Sequence, residues 1–171
     1  MATRDEGAPR LDHSALHTGL RRGDAARLGR QHIRKGRISV ATEKTGTQVT
    51  IPLAPELIEA IKAVKLKGLT FVAQGNGRPL TKESFGNWFG EACKGAGLNG
   101  YNAHGLRKLA ATRLAMNGAT VHELNAVFGW MGSKMALHYV ALADRARLAA
   151  GGAAKNKKPE IVVEAIEDFF D

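Results

Sequence analysis

From Thr18 onward the spacing of apolar side chains becomes regular. Residues 37–42 and 47–53 alternate apolar and polar positions and are rich in β-branched side chains, the period of a half-buried strand. Glu43-Lys44-Thr45-Gly46 lies between them, and Gly46 accepts a positive φ. The two runs therefore predict an antiparallel hairpin with Lys44 at or beside its turn. Ahead of it, residues 24–32 fit a short helix. Pro55 starts another, with Leu57, Ile58, Ile61 and Val64 as its apolar stripe. Residues 69–72 are a short strand candidate, and Gly75-Asn76-Gly77 begins a turn. Thr81 caps a helix that carries Phe85, Trp88, Phe89 and Cys93 on one side and ends at Gly95 and Gly97. Residues 104–116 form a helix closed by Asn117-Gly118. Thr120-Val121-His122-Glu123 is a capping box for the next, which bears Leu124, Val127 and Phe128 and stops at Gly129. Ser133 caps a last helix that passes Tyr139 and runs to about Ala150, where Gly151-Gly152 breaks it. The pattern predicts an α+β fold, mostly α-helical with a small antiparallel β-sheet. Residues 1–17 form a weakly patterned lead expected to be poorly ordered. Residues 18–150 are the folded domain. Residues 151–171 are a linker and an amphipathic tail with Ile161, Ile166, Phe169 and Phe170 on its apolar side.

Charge narrows the class of partner. The 171 residues carry a net charge of +9, with a pI near 10.0. Residues 155–171 hold three of the 25 basic and five of the 16 acidic side chains, so the rest of the chain carries +11. A basic body with an acidic tail points to a polyanion, nucleic acid first. No apolar run approaches the roughly 20 residues of a membrane span. The N-terminus lacks the apolar stretch of a secretory signal. The single cysteine, Cys93, cannot form an internal disulfide. A cytoplasmic location is the expectation.

Five segments occur in an order that carries more information than any one of them. They are Thr18-Gly19-Leu20-Arg21-Arg22-Gly23-Asp24, Thr42-Glu43-Lys44-Thr45-Gly46-Thr47, Ala103-His104-Gly105-Leu106-Arg107, Phe128-Gly129-Trp130, and Tyr139 nine residues later. In this order and spacing the chain resembles the catalytic domain of tyrosine recombinases, the phage integrase family, over residues 18–148. The first segment resembles the family's first arginine box, the second its lysine hairpin, and the third its His-x-x-Arg box. The fourth resembles its Leu-Gly-His element, with tryptophan in the histidine place.

The resemblance implies a site-specific recombinase or integrase that cleaves and rejoins double-stranded DNA without metal, ATP or another cofactor. Tyr139 is the implied nucleophile. It attacks the scissile phosphorus, forms a 3′-phosphotyrosine and releases a 5′-hydroxyl, which covalent catalysis makes reversible. Arg21 and Arg107 are implied to hold the non-bridging oxygens, a task suited to planar guanidinium forks. Arg21 is preferred over its neighbour Arg22 because it follows Thr-Gly-Leu directly. Lys44 is implied to protonate the leaving oxygen. His104 acts as base or as a hydrogen-bond partner to the phosphate. Trp130 can donate only an indole N–H, to a phosphate oxygen or as packing for the tyrosine helix. Asp24 is expected to hold Arg21 by an ion pair. Self-association on DNA, a tetramer in the family, is also implied, with the tail packing on a neighbour or back on its own domain.

The chain departs from the resemblance at its ends. Little precedes the first arginine box, so the expectation is an isolated, truncated catalytic domain without the family's N-terminal DNA clamp. Two other readings stand beside an active enzyme. Residues 120–139 also fit a helix-turn-helix, and so a non-catalytic DNA-binding module or an inactive relic. An inhibitory partner of complete recombinases is the third. Other residues carry less. His13 and His17 are one helical turn apart but have no third ligand nearby. His122-Glu123 lacks the second histidine of a zinc-protease helix. Tyr101 lacks a nucleophile's context, His138 reads as surface, and Phe85, Trp88 and Phe89 read as core.

Overall fold

The computed structural model describes residues 18–63 and 68–156. The first helix, α1, is Arg22–Arg27, followed by a 3₁₀ turn at Arg30–His32. Strands β1 (Ile33–Arg34), β2 (Arg37–Ala41) and β3 (Gln48–Pro52) form one antiparallel sheet in the order β1-β2-β3. Helices α2 (Pro55–Ala63), α3 (Lys82–Gly95), α4 (Ala103–Met116), α5 (Val121–Phe128) and α6 (Ser133–Lys155) complete the described fold. It is mostly helical with a small antiparallel sheet, as the pattern predicts.

The sheet follows from strand periodicity. Ile38, Val40, Val49 and Ile51 are buried while their neighbours face outward, and β2 and β3 pair from Arg37↔Pro52 to Ala41↔Gln48. The strand β1 is not visible in the sequence pattern, because two residues cannot display a period. It exists because Lys35 (φ 47°) and Gly36 (φ 72°) both adopt left-handed backbone, the requirement of a tight hairpin turn. The predicted strand at 69–72 is instead a bend. Phe71 N–H donates to Leu28 O at 2.8 Å and the Thr70 hydroxyl donates to Val72 O at 2.7 Å. The first bond ties the segment to the exit of α1 rather than to a sheet edge, and the second braces the bend from within. The 24–32 helix is split, since Leu28 and Gly29 take extended backbone between α1 and the 3₁₀ turn.

The helix caps are as expected. Thr81 accepts from Ser84 N–H, and Thr120 and Glu123 form a reciprocal capping box. Asn102 caps α4 by accepting from Gly105 N–H. Two expectations about α6 are corrected. Gly132, not Ser133, is its N-cap, and the helix continues through Gly151-Gly152 to Lys155. Each glycine costs about 1 kcal/mol in a helix, but the alanines on both sides are the best helix formers and offset it. Val64, the lead containing His13 and His17, and the tail at 161–170 lie outside the described residues.

Two apolar clusters form the interior. One joins the sheet, α1, α2 and α3 through Leu20, Ala26, Ile38, Val40, Leu57 and Phe85. The other joins α4, α5 and α6 through Ala110, Ala111, Leu124, Phe128, Ala136 and Tyr139. Phe85, Phe89 and Cys93 are core residues, as their stripe predicts. The clusters meet where Gly19 passes the Phe128 ring. Gly19 has φ +58°, and a Cβ there would lie 2.3 Å from Phe128 Cε1. Gly19→Ala combines a backbone penalty with overpacking and is expected to lower the unfolding free energy by roughly 2–4 kcal/mol. A urea titration with a lower midpoint and an unchanged slope checks this; an unmoved midpoint refutes the close-packing account.

Candidate functional site

The site sits at the junction of the two clusters and is organised by Arg107, on the first half of α4. Its side chain is buried, with 7% of its surface exposed. Nη1 donates to Gly19 O at 2.6 Å, and Nη2 donates to Phe128 O at 2.7 Å. The guanidinium also lies over the Phe128 ring (5.0 Å to the centroid) and the Trp130 ring (5.6 Å). One side chain thus joins the loop before α1 to the end of α5. Burial and the nearby Arg21 cation push its pKa down to about 10, while Asp24 and Tyr139 oppose that shift. Arg107 therefore remains a cation at neutral pH and keeps donors beyond the two already used.

Aromatic rings extend the junction. Trp130 stacks on Phe128 with centroids 4.7 Å apart, and on Tyr139 at 5.7 Å with the rings 5° from parallel. Tyr139 is 7% exposed, on the inner face of α6. Desolvation raises its pKa above the ordinary tyrosine value, and Arg107 pulls it back only in part. Its phenol is neutral at physiological pH. His138 is exposed and meets the Tyr139 ring edge-on at 5.3 Å.

Arg21 is the N-cap residue of α1, and its Nη1 is buried with no hydrogen-bond partner. Arg22 is exposed and reaches towards α3, where a Cβ on Gly86 would lie 2.8 Å from its Nη1. The two adjacent arginines thus have different surroundings. Asp24 is 1% exposed, but its ion pair differs from the expected one. Its Oδ1 accepts from Arg27 Nη2 at 2.9 Å and from Glu43 N–H at 2.8 Å. The one-turn spacing of Asp24 and Arg27 on α1 permits this pairing, and the contact with Glu43 gives the carboxylate its direction.

Lys44 lies in the turn between β2 and β3, and its side chain is exposed. Thr42 N–H donates to Thr47 O (2.9 Å), Gly46 N–H donates to Thr42 O (2.8 Å), and Gly46 has φ +66°. The turn is held from two sides. Asp24 binds its Glu43 amide, and the Thr47 hydroxyl donates to Met131 Sδ at 3.3 Å. Gly129 (φ +59°) allows the second approach, since a Cβ there would come within 2.8 Å of Val49. His104 is exposed one turn before Arg107 on α4.

Arg21, Asp24, Arg107, Trp130 and Tyr139 therefore gather at one junction, while Lys44 and His104 stand exposed at its margin. Sequence reading missed Arg27, Phe128 and the Gly19 carbonyl as parts of the site. The glycine after Thr18 was the available signal for the last, because left-handed backbone can turn a carbonyl inward. Among the described residues no group of three potential metal ligands occurs. Nor, among those residues, is any helix long and apolar enough to cross a membrane.

Comparison with known proteins bears on the family and the fold. The family model described as "Phage integrase family" matches residues 12–146. A lambda integrase dimer bound to a COC' core site has 26% identity and a TM-score of 0.67, covering 81% of this chain. The lambda integrase catalytic core has 24% identity and a TM-score of 0.62, covering 75% of this chain and 85% of that one. XerA recombinase has 17% identity and a TM-score of 0.67, covering 90% of this chain and 63% of that one. The chain spans only 43–54% of the DNA-bound lambda integrase chains it matches. No curated protein matches.

Two measurements test the junction. Arg107→Ala leaves two buried carbonyls unpaired and is expected to cost roughly 3–5 kcal/mol of stability by chemical denaturation. A loss below about 1 kcal/mol would show that the two bonds are not structural. In a Tyr101→Phe background, ultraviolet titration should place Tyr139 ionisation above the free-tyrosine value near 10, because burial disfavours the phenolate. A midpoint at or below that value contradicts the buried placement.

Proposed function

Because the chain belongs to the phage integrase family, we propose that it cleaves and rejoins DNA strands through a 3′-phosphotyrosine on Tyr139. The observation that carries this reading is the buried, unpartnered Nη1 of Arg21 in the same cluster as Arg107 and Tyr139. Two cations at one spot repel each other, and a shared anion relieves that cost. A scissile phosphate supplies such an anion and also an acceptor for the unpaired donor.

In this reading the Tyr139 Oη attacks phosphorus and the 5′-oxygen leaves. Charge collects on the non-bridging oxygens, where Arg21 and Arg107 are fixed before the reaction begins. Because burial keeps the phenol neutral, its proton must be accepted during attack. His104 takes that role or binds the phosphate, and Lys44 returns a proton to the leaving oxygen. Their exposure on α4 and on the β2–β3 turn suits groups that meet a DNA duplex from outside. Trp130 supports the nucleophile by stacking and offers its indole N–H. The reverse reaction, with the 5′-hydroxyl of another strand, releases Tyr139 and reseals the backbone. The reaction uses no cofactor in this reading.

Residues 18–150, with α6 continuing to Lys155, would be the catalytic domain, and double-stranded DNA its substrate. The lambda integrase named above is a dimer on DNA, which supports assembly of this chain on DNA as well, with the tail in cis or in trans. The basic body favours the phosphate backbone whatever the base sequence. A DNA-associated, cytoplasmic location follows from that substrate.

Covalent trapping tests the reading. The chain and Tyr139→Phe are incubated with a pool of nicked duplex suicide substrates, and adducts that resist denaturation are counted. The expected result is an adduct with the native chain and at least a 1,000-fold loss in the variant, on the order expected for removing a nucleophile, with DNA binding unchanged. An adduct surviving in Tyr139→Phe refutes the nucleophile. Binding without any adduct favours the DNA-binding-module reading.

A further inference from the structure

A buried carboxylate beside an anion-binding arginine competes with the anion. Asp24 lies three residues from two arginines: Arg21, the extended N-cap residue before α1, and Arg27, the last residue of α1. It pairs with Arg27, whose Nη2 donates to Asp24 Oδ1 at 2.9 Å. Arg27 is anchored in turn. Its Nε donates to Gly23 O at 3.4 Å, and its Nη2 also reaches Ala41 O at 3.5 Å, at the base of the hairpin that carries Lys44. Asp24 Oδ1 accepts the Glu43 amide of the same hairpin at 2.8 Å. The carboxylate is therefore held by one donor from the hairpin and one from α1. The two atoms left over are Arg21 Nη1 and Asp24 Oδ2, both buried, both unpartnered and opposite in charge.

We propose that Arg27 is a positioning residue that neutralises Asp24 and holds it on the hairpin, so that Arg21 stays free for phosphate. The proposal rests on the reading of Arg21 as a phosphate ligand. Without Arg27 the carboxylate keeps its full charge, and Arg21, the N-cap residue of α1 with an unpaired buried donor, is left to compensate it. Arg21 then binds phosphate only after giving up Asp24. The effect of Arg27 is thus transmitted through the charge of Asp24, which separates it from a general role in packing.

The test is a double-mutant cycle read at Arg21 itself. Inorganic phosphate is titrated while the Arg21 Nε–H resonance is followed by NMR, with the peak assigned by its loss in Arg21→Lys. Arg27→Met should weaken phosphate binding about tenfold, the size of one charge-assisted hydrogen bond. In an Asp24→Asn background, where the acceptor for Glu43 N–H remains but the charge is gone, the same change should cost less than about twofold. Arg27→Lys should hold affinity near that of the native chain, and it serves as the comparison if Arg27→Met does not fold. An equal loss in both backgrounds, or no loss in either, overturns the proposal. If the Arg21 resonance of the native chain ignores phosphate, the underlying reading of Arg21 fails instead.

Discussion

Everything at the junction depends on the bifurcated anchoring of Arg107 to two main-chain carbonyls. Gly19 O and Phe128 O belong to segments more than 100 residues apart in the chain, and one guanidinium satisfies both. A neutral side chain of similar length could not, because only the planar fork offers two divergent donors in fixed geometry. The cation is also what makes the location costly. Burial lowers its pKa, and the cost is borne by charge-assisted bonds and by the faces of Phe128 and Trp130. The group that binds the two halves together thus keeps donors beyond those two bonds.

The glycines follow from that constraint. Gly19 must turn its carbonyl towards Arg107 while the Phe128 ring presses on its α-carbon. Gly129 must end α5 in left-handed backbone while the hairpin closes over it. Neither position has room for a side chain. The same close approaches bring the Lys44 turn against Met131 and bring Trp130 between Phe128 and Tyr139. The catalytic residues proposed above divide into two environments. Arg21, Arg107 and Tyr139 are buried or partly buried and fixed by packing, a state suited to charge stabilisation with little reorganisation. Lys44 and His104 are exposed on elements that face outward, a state suited to groups that must meet an incoming duplex.

Asp24 shows how local and tertiary effects divide. Arg21 and Arg27 each lie three residues from it, and from the chain alone either ion pair is open. The choice is made by Glu43, 19 residues away, whose amide needs an acceptor where the hairpin crosses α1. Burial then makes the choice matter, since a buried carboxylate left uncompensated is costly.

The sequence by itself determined the helices with capping signals, the β2–β3 hairpin and the order of the chemical segments. These are encoded in short-range periodicity and in residue types that act within a few positions. Arg21, Lys44, His104, Arg107, Trp130 and Tyr139 are candidates drawn from that order and its family resemblance. The tertiary structure decided what no local pattern contains. It made 69–72 a bend bonded to Leu28, added the two-residue β1, and carried α6 beyond Gly151-Gly152. It also decided that Asp24 takes Arg27, that Arg21 keeps a buried donor unpaired, and that Gly19 and Phe128 share one guanidinium. The physical reason is range. Propensities and caps act over one turn or one strand pair, whereas burial and the pairing of buried polar atoms depend on segments that only the folded chain brings together.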